Sequence, residues 1–365
     1  MEKKMVNWRP WPELPEELLD LITKSLGAID YLMFGCVCRA WRLYVATYRK
    51  EFMASQPPLY FFLSKRANKV CYFYGIFDHR LYKAILPNLK GKSCSGLTCG
   101  YLVMEDKKKS EDSQICLLNP FTRHELHFPS PPYPHSRVIL ASIAKPLPEF
   151  VLISFDKCHP YFHLCRSSDC NWTTYDYSDQ FKATFRGPIP LIVDGVVFKG
   201  KIYVLTIDAD IGVLNLNSHP YVTLLEVKRV RLRLFHKGQR LLHYEEHLLM
   251  ICIANYKKYQ VYELDFLKME WVPMQNFGDQ TLFSSFEMGL GFCNITRWKD
   301  SQQPSNCIYD VTKCFSHNYN LRFSDDSLPQ YIPITCRTYL PEASLGIPFW
   351  YFPHLSCSVD SLSDE

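Results

Sequence analysis

The residues best spaced for chemistry are His243, Glu246 and His247, which follow the H-x-x-E-H order of inverted zinc proteases. That chemistry needs both imidazoles on one helix face, where a spacing of four brings them to one metal. Here Leu241-Leu242 precede and Leu248 to Ile253 follow, and both runs read as strands, which predicts Glu245-Glu246 at a hairpin tip. A second cluster of zinc donors, Cys158, His159, His163, Cys165 and Cys170, falls within 13 positions. No pair in it has the usual two-residue gap, Pro160 interrupts it, and Phe162 to Tyr177 reads as a hairpin turning at Ser167-Ser168-Asp169. Lys228 to Arg233 could be a basic nucleic-acid patch. Arg229, Arg231 and Arg233 alternate with Val230, Leu232 and Leu234, however, which predicts the solvated face of an amphipathic strand. Gly289-Leu290-Gly291 to Asn294 fails the dinucleotide pattern at its last position, and Gly91-Lys92-Ser93-Cys94-Ser95 lacks the closing glycine of a nucleophile elbow. The expectation is a chain with no catalytic residues, no metal site and no cofactor.

The elements that carry these residues fall into two regimes, which change near Pro57-Pro58. Pro15 opens a helix with Glu16, Glu17 and Asp20 in its first turns; Leu18, Leu19, Ile22 and Leu26 recur at helical spacing, and Gly27 is expected to end it. Asp30 is expected to cap a second helix carrying Leu32, Met33 and Val37, and a third follows from Arg39 with Trp41, Val45 and Tyr48. Three short helices bury too little surface to stand alone, so this segment needs the rest of the chain or a partner.

From Leu59 the pattern alternates with period two. Apolar strands begin near Leu59, Tyr101, Phe150, Lys201, His247 and Cys307, at steps of 42, 49, 51, 46 and 60 residues. Second and third strands follow most of them. Units of three or four strands at this spacing predict propeller blades, each needing its neighbours to cover its sheet faces. The expected fold is therefore multidomain, α plus all-β: a three-helix unit at residues 8–52, a kelch-like β-propeller of about six blades at 57–355, and a disordered tail at 356–365.

Composition agrees. The 365 residues are 15% aromatic with 24 Pro, and the net charge of +4 is too mild to imply a nucleic-acid or membrane partner. Fifteen scattered cysteines do not form a disulfide framework, the opening residues lack the apolar run of a secretory leader, and no stretch reaches 18 apolar residues. These features predict a soluble, thiol-reduced protein of the cytoplasm or nucleus.

The helical segment resembles an F-box. Trp11-Pro12-Glu13-Leu14-Pro15, Leu18-Leu19, Ile22, Leu26, Asp30, Phe34, Val37-Cys38 and Trp41-Arg42 stand in order at that family's spacing. The remainder resembles the plant F-box-associated β-propeller family of KIB type. Gly91 to Leu97, Leu117 to Thr122, Cys165-Arg166 with Asn171-Trp172-Thr173, and Val197 to Tyr203 carry that likeness, as do Val261 to Phe266, Phe277-Gly278-Asp279 and Asn306 to Tyr309. Tyr244-Glu245-Glu246 stands where the family tends to have Glu-Ser-Gly, Leu97 where it has an aromatic, and Asp310 follows Tyr309 where an aromatic is usual. The resemblance implies a non-catalytic substrate-recognition subunit of an SCF-type ubiquitin ligase. Its F-box would dock on a Skp-type adaptor, which brings cullin and RING subunits, and its propeller would hold an unknown protein substrate. The expected adaptor-facing set is Leu14, Pro15, Leu18, Leu19 and Ile22, with Val37, Cys38 and Trp41 adding to it or supporting it from the core. Two alternatives remain: a propeller that sequesters or inhibits a partner without ubiquitination, and a hydrolase built on His243 and His247.

Overall fold

The computed structural model describes residues 11–64, 69–107, 113–132, 134–143, 149–169, 171–182, 187–217, 219–228, 238–254, 258–285, 289–294, 306–311, 330–334 and 348–362. Cys170, residues 108–112 and the basic run 229–237 lie outside them.

The first helix, α1 (Glu16–Thr23), starts after Pro15, whose φ of −54° suits a helix entry, with Glu16 and Glu17 against the positive end of the dipole. It stops before the expected glycine. Thr23 Oγ1 donates back to the Asp20 carbonyl at 3.0 Å, and Gly27 instead caps the start of α2 (Ala28–Phe34). Asp30 therefore lies within the first turn of α2, and its expected role as a cap is corrected. Its carboxylate turns outward to accept Arg80 Nη1 at 2.6 Å and Tyr82 Oη at 3.1 Å. The third helix, α3 (Arg39–Ala54), is capped by Cys38, whose Sγ accepts from the Trp41 amide at 3.5 Å.

Six sheets follow. Blade 1 holds β1 (Leu59–Leu63), β2 (Val70–Tyr74) and β3 (Leu81–Ile85). Blade 2 is β4 (Lys92–Thr98), β5 (Tyr101–Asp106), β6 (Gln114–Leu118) and β7 (Glu125–Pro129). Blade 3 is β8 (His135–Ile143), β9 (Glu149–Asp156), β10 (Tyr161–Arg166) and β11 (Thr173–Asp176). Blade 4 is β12 (Ile192–Phe198), β13 (Lys201–Thr206), β14 (Ile211–Asn215) and β15 (Tyr221–Leu224). Blade 5 is β16 (Gly238–Tyr244), β17 (His247–Ala254), β18 (Lys258–Asp265) and β19 (Glu270–Met274). Blade 6 runs β21 (Gly289–Asn294), β20 (Gln280–Ser285), β22 (Cys307–Val311) and β23 (Gln330–Ile334), with β22 parallel to both its neighbours.

The strands expected to open the units near Tyr101, Phe150, Lys201 and His247 are second in their blades. Each is preceded by an inner strand, β4, β8, β12 or β16, whose apolar residues are interrupted or bounded by glycine or polar residues, as by Gly96, Arg137, Asp194-Gly195 and Arg240. The ring is closed by β24 (Phe349–Tyr351), which pairs antiparallel with β1 as the inner strand of blade 1. Phe349, Trp350 and Tyr351 are fully buried there. Gly289 and Gly291 make room for this return: a Cβ on Gly289 would lie 2.5 Å from the Trp350 carbonyl oxygen, and one on Gly291 would lie 2.6 Å from the Phe352 ring.

The expected disordered tail is corrected as far as Leu362. Ser356 is buried, Ser142 N donates to the Asp360 carbonyl, and β25 (Ser361–Leu362) pairs parallel with the end of β8. The unpaired inner edge of β8 supplies the backbone partners for this added strand. No helix among the described residues is long and apolar enough to cross a membrane.

The boundary at residues 52–57 is not a gap. Tyr31, Phe34 and Met53 of the helices share one apolar cluster with Leu59, Phe61, Phe349 and Tyr351 of blade 1 and Leu102 and Met104 of blade 2. The small helical unit obtains from the propeller the core that it cannot build alone.

Candidate functional site

Two surfaces stand out, one on the helices and one along the channel. On the helices, the inward residues are fixed first. Tyr31 stacks on Phe52 with centroids 3.7 Å apart, Phe34 stacks on Trp41 at 4.2 Å, and Trp41 Nε1 donates to the Trp11 carbonyl at 3.0 Å. Burial raises the Tyr31 hydroxyl well above the usual tyrosine range. Of the residues expected to face a partner, Leu19 and Trp41 belong to this core, being 5% and 8% exposed. Leu14, Ile22 and Cys38 are half-buried against it. Pro15, Leu18 and Val37 are exposed.

The expected set is thus divided between support and surface. The helical period explains the division: with Leu19 and Thr23 turned inward, Leu18 and Leu21, three apart, share the opposite face. The exposed apolar set extends beyond that reading to Leu21, Met33 and Leu43, with exposures from 44% at Leu18 to 70% at Leu43. Seven of the fourteen exposed large hydrophobics among the described residues (Trp11, Leu18, Leu21, Met33, Val37, Leu43 and Tyr48) lie between residues 11 and 48. This stretch, about a seventh of the described residues, thus carries half of their exposed large apolar side chains. Val37 was expected from the Val-Cys pair of the F-box likeness, whereas Met33 was placed only on the second helix and Leu21 and Leu43 were not singled out.

The unit is joined to the propeller by packing and hydrogen bonds. Besides the shared core, Asp30 ties α2 to Arg80 and Tyr82 of blade 1, and the Cys293 thiol donates to the Gln56 carbonyl at 3.4 Å.

The channel forms the second surface. A cavity of about 470 Å³ lies among the inner strands, lined by Leu97 to Gly100, Arg137 to Leu140, Gly195 to Val197, Leu241 to Glu245, Gly289 to Asn294 and the returning segment at Tyr351 to Leu355. Behind this lining lies Asp194, fully buried on β12. Arg137 Nη1 on β8 reaches Asp194 Oδ2 at 3.3 Å, the Leu241 amide on β16 donates to the same oxygen at 3.0 Å, and Arg137 Nη2 donates to the Leu97 carbonyl at 3.2 Å. One carboxylate and one guanidinium therefore join four inner strands, and the charges stay paired. Neither residue was singled out from the sequence, because both sit on the inner strands whose pattern is broken. Deeper in, burial and the neighbouring His243 lower the pKa of His354 to about 4, and burial followed by the Asp360 carboxylate raises that of the Cys99 thiol.

The zinc-like patterns resolve into separate contacts. Glu245-Glu246 is the tip of the β16–β17 hairpin, as its flanks predicted. His243 faces Asp360 at 3.9 Å, whereas His247 Nδ1 contacts Glu263 Oε1 at 2.5 Å. The two imidazoles serve different carboxylates. In the second cluster, the β10–β11 hairpin turns at Ser167-Ser168, His163 Nδ1 contacts Thr174 Oγ1 at 3.0 Å, and burial lowers the His163 pKa. The departure at Asp310 has a local use: it accepts from Tyr259 Oη at 2.7 Å across blades 5 and 6.

Residues 11–52 match the profile of the F-box domain, and residues 73–327 match that of the KIB1-4 beta-propeller. No curated protein matches the chain in sequence. Among solved structures it is similar to BBS1N in complex with ARL6DN, at 12% identity and a TM-score of 0.32 over 59% of this chain and 66% of that one. It is similar to the Trypanosoma rangeli sialidase in complex with sialic acid, at 12% identity and a TM-score of 0.30 over 58% and 41%. The N-terminal domain of Nup159 matches at 6% identity and a TM-score of 0.28 over 56% and 57%. The chain spans less than two thirds of each of these.

Proposed function

The chain belongs to the KIB1-4 β-propeller family and carries an F-box ahead of the propeller, and from that premise we propose that it is the substrate-recognition subunit of an SCF-type ubiquitin ligase. The F-box docks on a Skp-type adaptor and through it on cullin and RING subunits, in the cytoplasm or nucleus, while the propeller binds the protein to be modified. The observation that carries this reading is the concentration of exposed apolar side chains on the F-box, at Leu18, Leu21, Met33, Val37 and Leu43, while Leu19, Tyr31, Phe34, Trp41 and Met53 are buried in the core shared with the propeller. Among the described residues nothing covers these side chains, and a few such anchors would carry most of a partner's affinity.

The packed F-box–propeller joint supports the same reading. A receptor that itself performs no chemistry works by holding the substrate lysine near the charged conjugating enzyme, which raises its effective concentration. A flexible joint would dilute that effect. The test is to express the full chain and a Leu18→Glu/Val37→Glu variant, block proteasomal degradation, and compare the proteins captured with each. The reading requires ubiquitin-modified proteins that co-purify with both chains but whose modification depends on the intact F-box face. Equal modification with both chains would contradict it.

A further inference from the structure

Away from the F-box face and the channel, one group of side chains brings three kinds of metal donor together on a rigid frame. Cys116 on β6 and His127 on β7 are directly opposed in the ladder, and Glu125, two residues earlier on β7, shares the face of His127. One donor atom from each, Cys116 Sγ, a Glu125 oxygen and a His127 ring nitrogen, lies within 4.8 Å of the other two. Zinc holds sulfur at about 2.3 Å and nitrogen or oxygen at about 2.0–2.2 Å, which sets tetrahedral ligands roughly 3.5 Å apart. Small side-chain rotations close that difference.

The surroundings are graded in the way such a site needs. Cys116 is 1% exposed, in the apolar cluster that also holds Leu86 and Leu89, so the thiol forms a dry floor. His127 is exposed, leaving an entry path and a free fourth position. Asn88, from the short turn Pro87–Leu89 that connects blade 1 to blade 2, donates Nδ2 to both Glu125 oxygens at 2.6 and 2.8 Å, and His127 Nε2 lies 3.2 Å from Glu125 Oε2. A brace of this kind fixes a carboxylate ligand in place.

We propose that Cys116, Glu125 and His127 bind a divalent transition-metal ion of the zinc class at the junction of blades 1 and 2. The sulfur, nitrogen and oxygen donor set selects against magnesium and calcium, which prefer all-oxygen sites. On binding, the S–H bond of Cys116 breaks as the sulfur–metal bond forms, and the proton leaves to solvent. His127 donates its Nε2 lone pair while its proton resides on Nδ1, Glu125 enters as the carboxylate, and no electron is transferred. Through Asn88 the ion would clip blade 2 to blade 1. This inference is independent of the ligase reading.

The test is titration of the purified, chelator-treated full chain with Co²⁺ alone, followed by visible and near-ultraviolet absorption. The expected result is one equivalent bound with a thiolate-to-cobalt band that Zn²⁺ displaces. That band is lost in Cys116→Ser, which keeps the size of the side chain, and in His127→Ala. Asn88→Ala should keep the band but weaken cobalt affinity by about 10–100-fold. The same band at the same affinity in Cys116→Ser and His127→Ala would overturn the proposal, as would no band in the unmodified chain. Circular dichroism of each variant separates loss of the site from loss of the fold.

Discussion

Replacing Trp350 tests how the ring is closed. This side chain is fully buried on β24. Its Nε1 donates to both the Ser284 and Tyr309 carbonyls, at 3.1 and 3.2 Å, and its ring meets Phe283 and Tyr60 edge-on with centroids 5.0 and 5.5 Å apart. Trp350→Ala opens a cavity at about 3–5 kcal/mol and forfeits two aromatic pairs at about 0.5–1.5 kcal/mol each. The sum, about 5 kcal/mol or somewhat more, is comparable to the whole stability of a typical domain, about 5–15 kcal/mol. Trp350→Phe keeps most of the apolar area and deprives two buried carbonyls of their donor, a cost of about 1–3 kcal/mol. Urea unfolding of the full chain, followed by circular dichroism, should therefore rank the unmodified chain above Phe and Phe well above Ala. Because Phe349 and Tyr351 share a core with Tyr31 and Met53, F-box and propeller should unfold in one transition. A loss below about 1 kcal/mol for Trp350→Ala, set against the cavity cost above, or a separate F-box transition, would refute this account of closure.

Three further outcomes are expected. Asp194→Ala strands Arg137 and the Leu241 amide and should cost about 3 kcal/mol in denaturant unfolding, whereas Asp194→Asn, which keeps an acceptor, should cost less; equal losses would contradict the role of the pair. The pKa of His354, about 4 when folded, lies below that of an unfolded histidine, so its contribution is complete above about pH 6.5 and is lost as pH falls toward 4, because the unfolded chain takes up the proton first. Unfolding free energies should accordingly fall over that range by up to about 3 kcal/mol more in the unmodified chain than in His354→Gln; parallel curves would sink this assignment. Among the described cysteines, Cys36 and Cys158 are exposed and should react with a thiol reagent in the native protein, whereas Cys71, Cys252 and Cys293, buried with pKa values pushed to about 12, should react only after denaturation, as peptide mapping would reveal.

Much of the fold could be read from the sequence because its strongest signals are local. The second strands of blades 2 and 5 are buried on both faces over Tyr101 to Met104 and Leu248 to Cys252, so these appear as continuous apolar runs. The inner strands were hidden because glycine or polar residues break or bound their apolar runs, as Gly96 does in β4, Arg137 in β8, Asp194-Gly195 in β12 and Arg240 in β16. Closure by Phe349 to Tyr351 was hidden for another reason. Its pairing with β1 joins residues nearly 300 positions apart, and no local pattern encodes that partner. The F-box surface was half legible. Spacing identified the apolar stripe, but which of two neighbours such as Leu18 and Leu19 turns outward depends on where the propeller supplies the core. Asp30 shows the same limit, since its partners Arg80 and Tyr82 lie on blade 1.

The most direct test of the ligase reading is calorimetric titration of a purified Skp-type adaptor into the intact chain, beside a Leu18→Ala/Val37→Ala variant. Both side chains are exposed, so the variant should keep its fold and unfolding midpoint. If these residues are anchors, burying each is worth roughly 1.5–3 kcal/mol, and the double truncation should weaken the complex by roughly two orders of magnitude or more, at 1.4 kcal/mol per tenfold. Equal affinity in the two chains, or no binding by either, would contradict the account.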